Sequence, residues 1–98
     1  MSDPKSRDLP LDFSSFVVSL ATSAMVHLGE APDPATGERS TNVALARHSI
    51  DVLGIIADKT KGNLDAEEAK LIETLLYECR TRFVQVVERE QTLGKNKA

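Results

Sequence analysis

Few residues in this chain could support catalysis or bind a metal ion. His27 and His48 are its two histidines, and Cys79 is its one cysteine. A zinc site needs three or four converging ligands, and neither a His-x-x-x-His nor a paired-cysteine spacing occurs. The sequence therefore predicts no metal and no cofactor. It favours structural roles for both histidines and a small core position for Cys79.

The acidic and hydroxyl residues are numerous but are not arranged for catalysis. A pair of carboxylates that shares acid–base work needs a pocket that separates their pKa values. Glu73, Glu78 and Glu88 instead fall on the solvated side of a predicted helix. The serines of residues 13–28 lack a Gly-x-Ser-x-Gly turn, and there is no glycine-rich phosphate loop. The sequence therefore favours a protein that is not an enzyme.

Length and charge limit the size of the domain and the class of partner. The 98 residues suffice for one domain with one core. A net charge of -3 at pH 7 provides no basic field for a phosphate backbone, so nucleic acid is not an expected partner. A single cysteine and the lack of a secretory signal predict a cytoplasmic location.

The segment 13–28 contains no Lys, Arg, Asp or Glu, although charged residues make up 28% of the sequence. It is shorter than the roughly 20 apolar residues of a membrane span and is rich in Ser and Thr, so a span is not expected. The spacing predicts a helix over 13–28, capped by Asp12 and ended by Gly29. Its core arc is predicted to comprise Phe13, Phe16, Val17, Leu20, Ala21, Ala24 and Leu28.

Two further helices are predicted, over about 42–59 and 65–90, which gives an all-α three-helix domain. The apolar arc of the second helix includes Leu45, and the third helix begins with a capping-box pattern at Asp65 and Glu68. The polar ends, residues 1–10 and 91–98, are predicted to be disordered tails, so that the domain covers 11–90.

The back of the first helix and the end of the third predict self-association. The other two helices can cover only one side of the first, and the third helix is longer than the other two. The back of the first helix and the end of the third would therefore stay exposed in one chain. A homodimer would cover them, whereas the alternative is that the N-terminal arm folds back over the first helix. The predicted dimer interface comprises Ser15, Val18, Ser19, Thr22, Ser23, Met25, Val26, Val84 and Val87.

The segment between the first two helices is predicted to be a loop, because closely spaced prolines and a glycine are incompatible with continued helix. It is either a rigid recognition loop or a connector that only reverses the chain. A second protein partner, if there is one, is expected at this loop and the adjoining helix end. The residues concerned are His27, Glu30, Pro32, Asp33, Pro34, Gly37 and Glu38.

Several motifs resemble a bacterial family catalogued as domain of unknown function 1844. The matching stretches are 11–16, 19–24, 27–30, 32–34, 36–38, 59–64 and 75–77, within roughly residues 9–88. Asp65-Ala66 stands where the family often has Thr-Pro, and Asp also caps a helix well. The resemblance implies a short, helical, cytoplasmic bacterial protein and implies no activity.

The leading hypothesis for function is a non-catalytic protein–protein interaction or scaffold module that acts as a homodimer. Two alternatives stay open. One is a small enzyme or accessory subunit with a site across the dimer at His27, Glu30 and Asp33, which a polar pocket there would favour. The other is peripheral membrane association through the helix at 13–28.

Overall fold

The structure, a computed structural model, describes residues 12–97, with side chains as far as Thr92. Three helices make up the fold: α1 is Phe13–His27, α2 is Val43–Lys59 and α3 is Ala66–Lys97. No strand occurs among the described residues, so the predicted all-α three-helix domain is confirmed. The arm predicted at residues 1–10 lies outside the described part of the chain.

The starts of α1 and α3 follow the capping residues that the sequence predicts. The carboxylate of Asp12 accepts the backbone N–H of Ser15 at 2.8 Å. At α3, Asp65 accepts the N–H of Glu68 at 2.8 Å, and Glu68 accepts the N–H of Asp65 at 3.0 Å. This reciprocal pair is a capping box, and it satisfies amide groups that the first helical turn leaves without partners.

The end of α1 is a Schellman motif built on Gly29. The N–H of Gly29 donates to the carbonyl of Val26, and the N–H of Glu30 donates to the carbonyl of Met25, both at 3.0 Å. Gly29 has φ 78°, and a Cβ placed on it would lie 2.7 Å from the Thr41 hydroxyl oxygen. The loop therefore passes directly over the end of α1, where only glycine fits without strain.

The core consists of two adjoining clusters of buried side chains. All three helices contribute to the first: Val17, Ala21, Ala24, Ile50, Leu53, Ile72, Leu76 and Cys79. The second contains Leu28, Ala46 and Val86. The predicted core positions of Cys79 and of the central α1 residues are confirmed.

The end of α3 differs from the sequence-based prediction. Val86 is buried against Leu28 and Ala46, so the chain itself covers part of the surface that was expected to lack an intrachain partner. The helix continues to Lys97, so the end predicted at residue 90 is too early. Gly94 costs about 1 kcal/mol inside a helix, which weakens a helix without stopping it.

Two residues that the sequence assigns to the core are half exposed. Phe16 on α1 and Leu45 on α2 are each 47% exposed. Both lie at the edge of the apolar arc of their helix, beyond the width that the two neighbouring helices cover. The apolar arcs of α1 and α2 are therefore wider than the core that the chain can build alone.

Cys79 provides a direct check on this packing. Its side chain is fully buried, with Sγ 3.9 Å from the Ala21 carbonyl oxygen. Burial, and secondarily the charge of Glu78, raises the pKa of the thiol, which keeps it protonated and unreactive. We expect a thiol reagent at neutral pH to label Cys79 only as fast as the protein unfolds. Complete labelling of the native protein within the mixing time would contradict this packing.

The raised pKa of the Cys79 thiol also affects the stability of the fold. Because the folded state holds the thiol neutral while the unfolded chain ionises at its ordinary pKa, stability should fall as the pH rises through that ordinary value.

Candidate functional site

The solvent side of α1 is a surface without charge that exposes large apolar side chains. Val17, Ala21 and Ala24 form the buried stripe of the helix. The opposite side has no formal charge from residue 13 to residue 28, yet Phe16 and Val18 are 47% and 44% exposed. We call this surface the α1 face, and it consists of Ser15, Phe16, Val18, Ser19, Thr22 and Ser23. Five residues line a shallow depression on it: Ser14, Ser15, Val18, Ser19 and Thr22.

One hydroxyl group of the α1 face already has a partner within the helix. The Ser19 hydroxyl donates to the carbonyl of Phe16 at 2.8 Å, which satisfies it within the helix. A serine bonded in this way can be covered by a partner without leaving its hydroxyl donor unsatisfied. The face therefore combines exposed apolar groups with small side chains that a second helix can approach closely.

The structure separates the predicted dimer residues into distinct sets. Met25 is half-buried and packs against both core clusters, so most of its contact is with its own chain. Val26 and Val87 are also half-buried, whereas Val84 is exposed. Val84 lines a different depression, formed entirely by α3. Val84 is therefore separated from the depression on the α1 face.

The loop predicted as a partner site is a compact turn organised by Asp33. Its carboxylate accepts the N–H of Ala35 at 2.8 Å, and its carbonyl accepts the N–H groups of Thr36 and Gly37 at 3.2 and 2.6 Å. Its own N–H donates to the carbonyl of Glu38 at 2.8 Å. These bonds fix the shape of the loop from within, which is compatible with both a connector and a rigid recognition surface.

Two residues of the alternative enzymatic site, Glu30 and Asp33, contact groups of their own chain. Glu30 lies 3.5 Å from a guanidinium nitrogen of Arg82, and the Asp33 carboxylate is engaged in its turn. The carbonyl of His27 accepts the N–H of Asn42 at 2.7 Å, a structural contact between α1 and the start of α2. In the single chain, each carboxylate thus has at least one partner.

Residues 12–97 contain neither a cluster of metal ligands nor a membrane-spanning helix. No group of three or more His, Cys, Asp or Glu residues among them could hold a metal ion. None of the described helices combines the length and apolar character needed to cross a membrane.

Sequence reasoning missed Phe16 and Leu45 as surface residues. Their type and spacing are those of core residues, and a helical wheel places both at the edge of an apolar arc. That edge position is the one signal that could have identified them. Ile55, Tyr77 and Val84 are also exposed, but they lie elsewhere on α2 and α3.

Comparison with known proteins identifies one relationship. The model of the family described as Domain of unknown function (DUF1844) matches residues 10–85, most of the chain. No curated protein and no solved structure matches the chain.

Proposed function

The chain belongs to the DUF1844 family, and we propose that it works as a non-catalytic homodimer that serves as a protein–protein interaction or scaffold module. The observation that carries this proposal is the α1 face, which is uncharged and exposes two large apolar side chains, Phe16 and Val18. Exposed apolar patches of this kind commonly mark interfaces.

Covering the α1 face would be favourable for two physical reasons. Fully burying a Phe or Val side chain contributes about 1.5–3 kcal/mol, and Phe16 and Val18 have gained only part of it. Because the face has no charge, two copies can meet on it without removing any charged group from water. Removing charged groups from water is costly and can cancel the gain from pairing them. A two-fold contact also needs only one self-complementary surface.

The binding role is favoured over catalysis by the state of the nearby carboxylates. A general base must be free to reach its substrate, whereas Glu30 is paired with Arg82 and Asp33 accepts an N–H of its own loop. The loop at 32–38 stays a predicted contact for a second protein. We also propose a cytoplasmic location, because an unpaired thiol such as Cys79 suits a reducing compartment.

Substituting arginine for Thr22, an exposed residue of the α1 face, tests the proposal. We expect the wild-type protein to be a dimer at micromolar concentration in light scattering and Thr22→Arg to be a monomer, because the variant would bury an unpaired charge at the interface. Thr74→Arg is the matched control, since Thr74 is also an exposed helical threonine and lies on α3. This control should remain dimeric.

Two outcomes would overturn the proposal. One is a wild-type protein that stays monomeric, and the other is dissociation of both variants to the same extent. A monomer that co-sediments with lipid vesicles, and loses that property in Thr22→Arg, would show that the α1 face meets a membrane surface instead.

A further inference from the structure

The α1 face is too small to support a stable dimer alone. A helix of 15 residues is about 22 Å long and about 10 Å wide, so it offers a projected contact of about 220 Å². Specific interfaces bury about 800 Å² on each partner. If the homodimer proposed above forms, the contact must extend onto a second helix beside α1.

The side of α1 that meets α3 is poorly suited to this extension. Met25 marks that side, because it lines a depression together with Glu78, Arg82 and Gln85. A partner that covered this depression would have to remove charged groups from water. Part of the apolar surface at the end of α3 is also covered within the chain, since Val86 is buried against Leu28.

The opposite flank of α1 faces α2. On a helical wheel, Phe16, Leu20 and His27 lie across the buried stripe from Met25. The carbonyl of His27 accepts the N–H of Asn42, which places this end of α1 against the start of α2. The two helices are therefore antiparallel. Because the Met25 side of α1 meets α3, the remaining flank is the one beside α2.

The corresponding flank of α2 can be identified by its contact with α3. A Cβ on Gly54 would lie 3.1 Å from the Arg80 guanidinium, so Gly54 marks the side of α2 that faces α3. The flank across the buried stripe from Gly54 therefore faces the α1 side. It consists of Leu45, Ser49, Val52, Ile56 and Lys59, and Lys59 at the end of the helix is its only formal charge.

We propose that the second copy of the chain sits across the α1–α2 seam, with Phe16 and Leu45 as its apolar anchors. The inference rests on the proposed homodimer and specifies its second half. Phe16 and Leu45 have the spacing of core residues, yet each is 47% exposed in the single chain. A second copy placed here would bury the exposed parts of both side chains. Because the two helices are antiparallel, Phe16 and Leu45 lie toward opposite ends of the pair.

Truncation of Leu45 tests this placement. Leu45→Ala should weaken the dimer at least about tenfold in sedimentation equilibrium, as expected for a buried interface anchor. Ile55→Ala is the matched control, because Ile55 is an exposed residue of the same helix that lines the groove with Arg80 instead. Its dissociation constant should change less than about twofold. Val84→Ala should likewise leave the dimer intact.

The outcomes separate this inference from the homodimer itself. A dimer that Leu45→Ala does not weaken, while Thr22→Arg or Val84→Ala does, overturns the α1–α2 placement and leaves the homodimer standing. A monomeric wild-type protein overturns both. Phe16→Ala is an independent variant on the other helix, and circular dichroism verifies folding in each case, so unfolding of one variant still leaves a decisive measurement.

Discussion

Leu53→Ala is expected to lower the free energy of unfolding by about 2–5 kcal/mol, the range typical of a large-to-small change in a core. Leu53 is fully buried in the cluster to which all three helices contribute. Removing its isobutyl group loses the transfer free energy and leaves a cavity that three packed helices can close only in part. Chemical denaturation followed by circular dichroism measures the change.

Ile55→Ala is the control for this prediction. Ile55 lies on the same helix two residues away and is 57% exposed. Its truncation should change stability by about 0.5 kcal/mol or less, as for most surface substitutions. Equal losses of stability in the two variants would contradict the position assigned to the core.

Gly29→Ala is expected to have the second largest effect on stability. Gly29 has φ 78°, and the left-handed conformation costs a residue with a Cβ about 1–2 kcal/mol. The added methyl group must also displace the hydroxyl of Thr41, which lies 2.7 Å from its position. We expect thermal denaturation to show a clearly lower midpoint, because the end of α1 and the loop that crosses it can no longer pack as closely.

Gly37→Ala separates the two contributions. Gly37 also has a positive φ, 73°, but no atom lies within 4 Å of a Cβ placed there. It should therefore suffer only the conformational cost and be less destabilised than Gly29→Ala. The double variant Gly29→Ala/Thr41→Ala should recover the steric part. Equal effects of Gly29→Ala and Gly37→Ala, without recovery in the double variant, would argue against the close crossing.

Local signals were sufficient to predict the helices. Asp12, Asp65 and Glu68 form the caps that their types and positions indicate, and Gly29 ends α1 as expected. These predictions succeed because capping depends on residues within one helical turn. The predicted end of α3 is too early because no residue in the following turns stops the helix. A residue pattern also does not show whether a helix with a polar surface stays folded in water.

The width of the core could not be predicted in the same way. An apolar arc shows which side of a helix avoids water, but it does not show how much of that side the same chain covers. Phe16 and Leu45 lie at the edges of such arcs and remain half exposed. Val86, in contrast, lies near the end of α3, which is predicted to stay exposed, and is buried. Helix crossing and axial offset decide these cases, and both are properties of the packed structure.

The candidate surface was predictable in part. The absence of charge from residue 13 to residue 28 indicated an uncharged outer face on α1, and the structure exposes that face. Val84, which is predicted to belong to the same dimer interface, instead lines a separate depression on α3. The flank of α2 that carries Leu45 is not predictable from the sequence, because it is defined by which sides of α1 and α2 pack against α3.

The molar mass of the wild-type protein in solution tests the central claim most directly. Sedimentation equilibrium between about 1 and 100 µM, concentrations at which even a modest interface is populated, should give twice the chain mass of 10.7 kDa. Thr22→Arg should give the mass of one chain under the same conditions. A wild-type mass of 10.7 kDa across the whole range would contradict the homodimer and the function proposed from it.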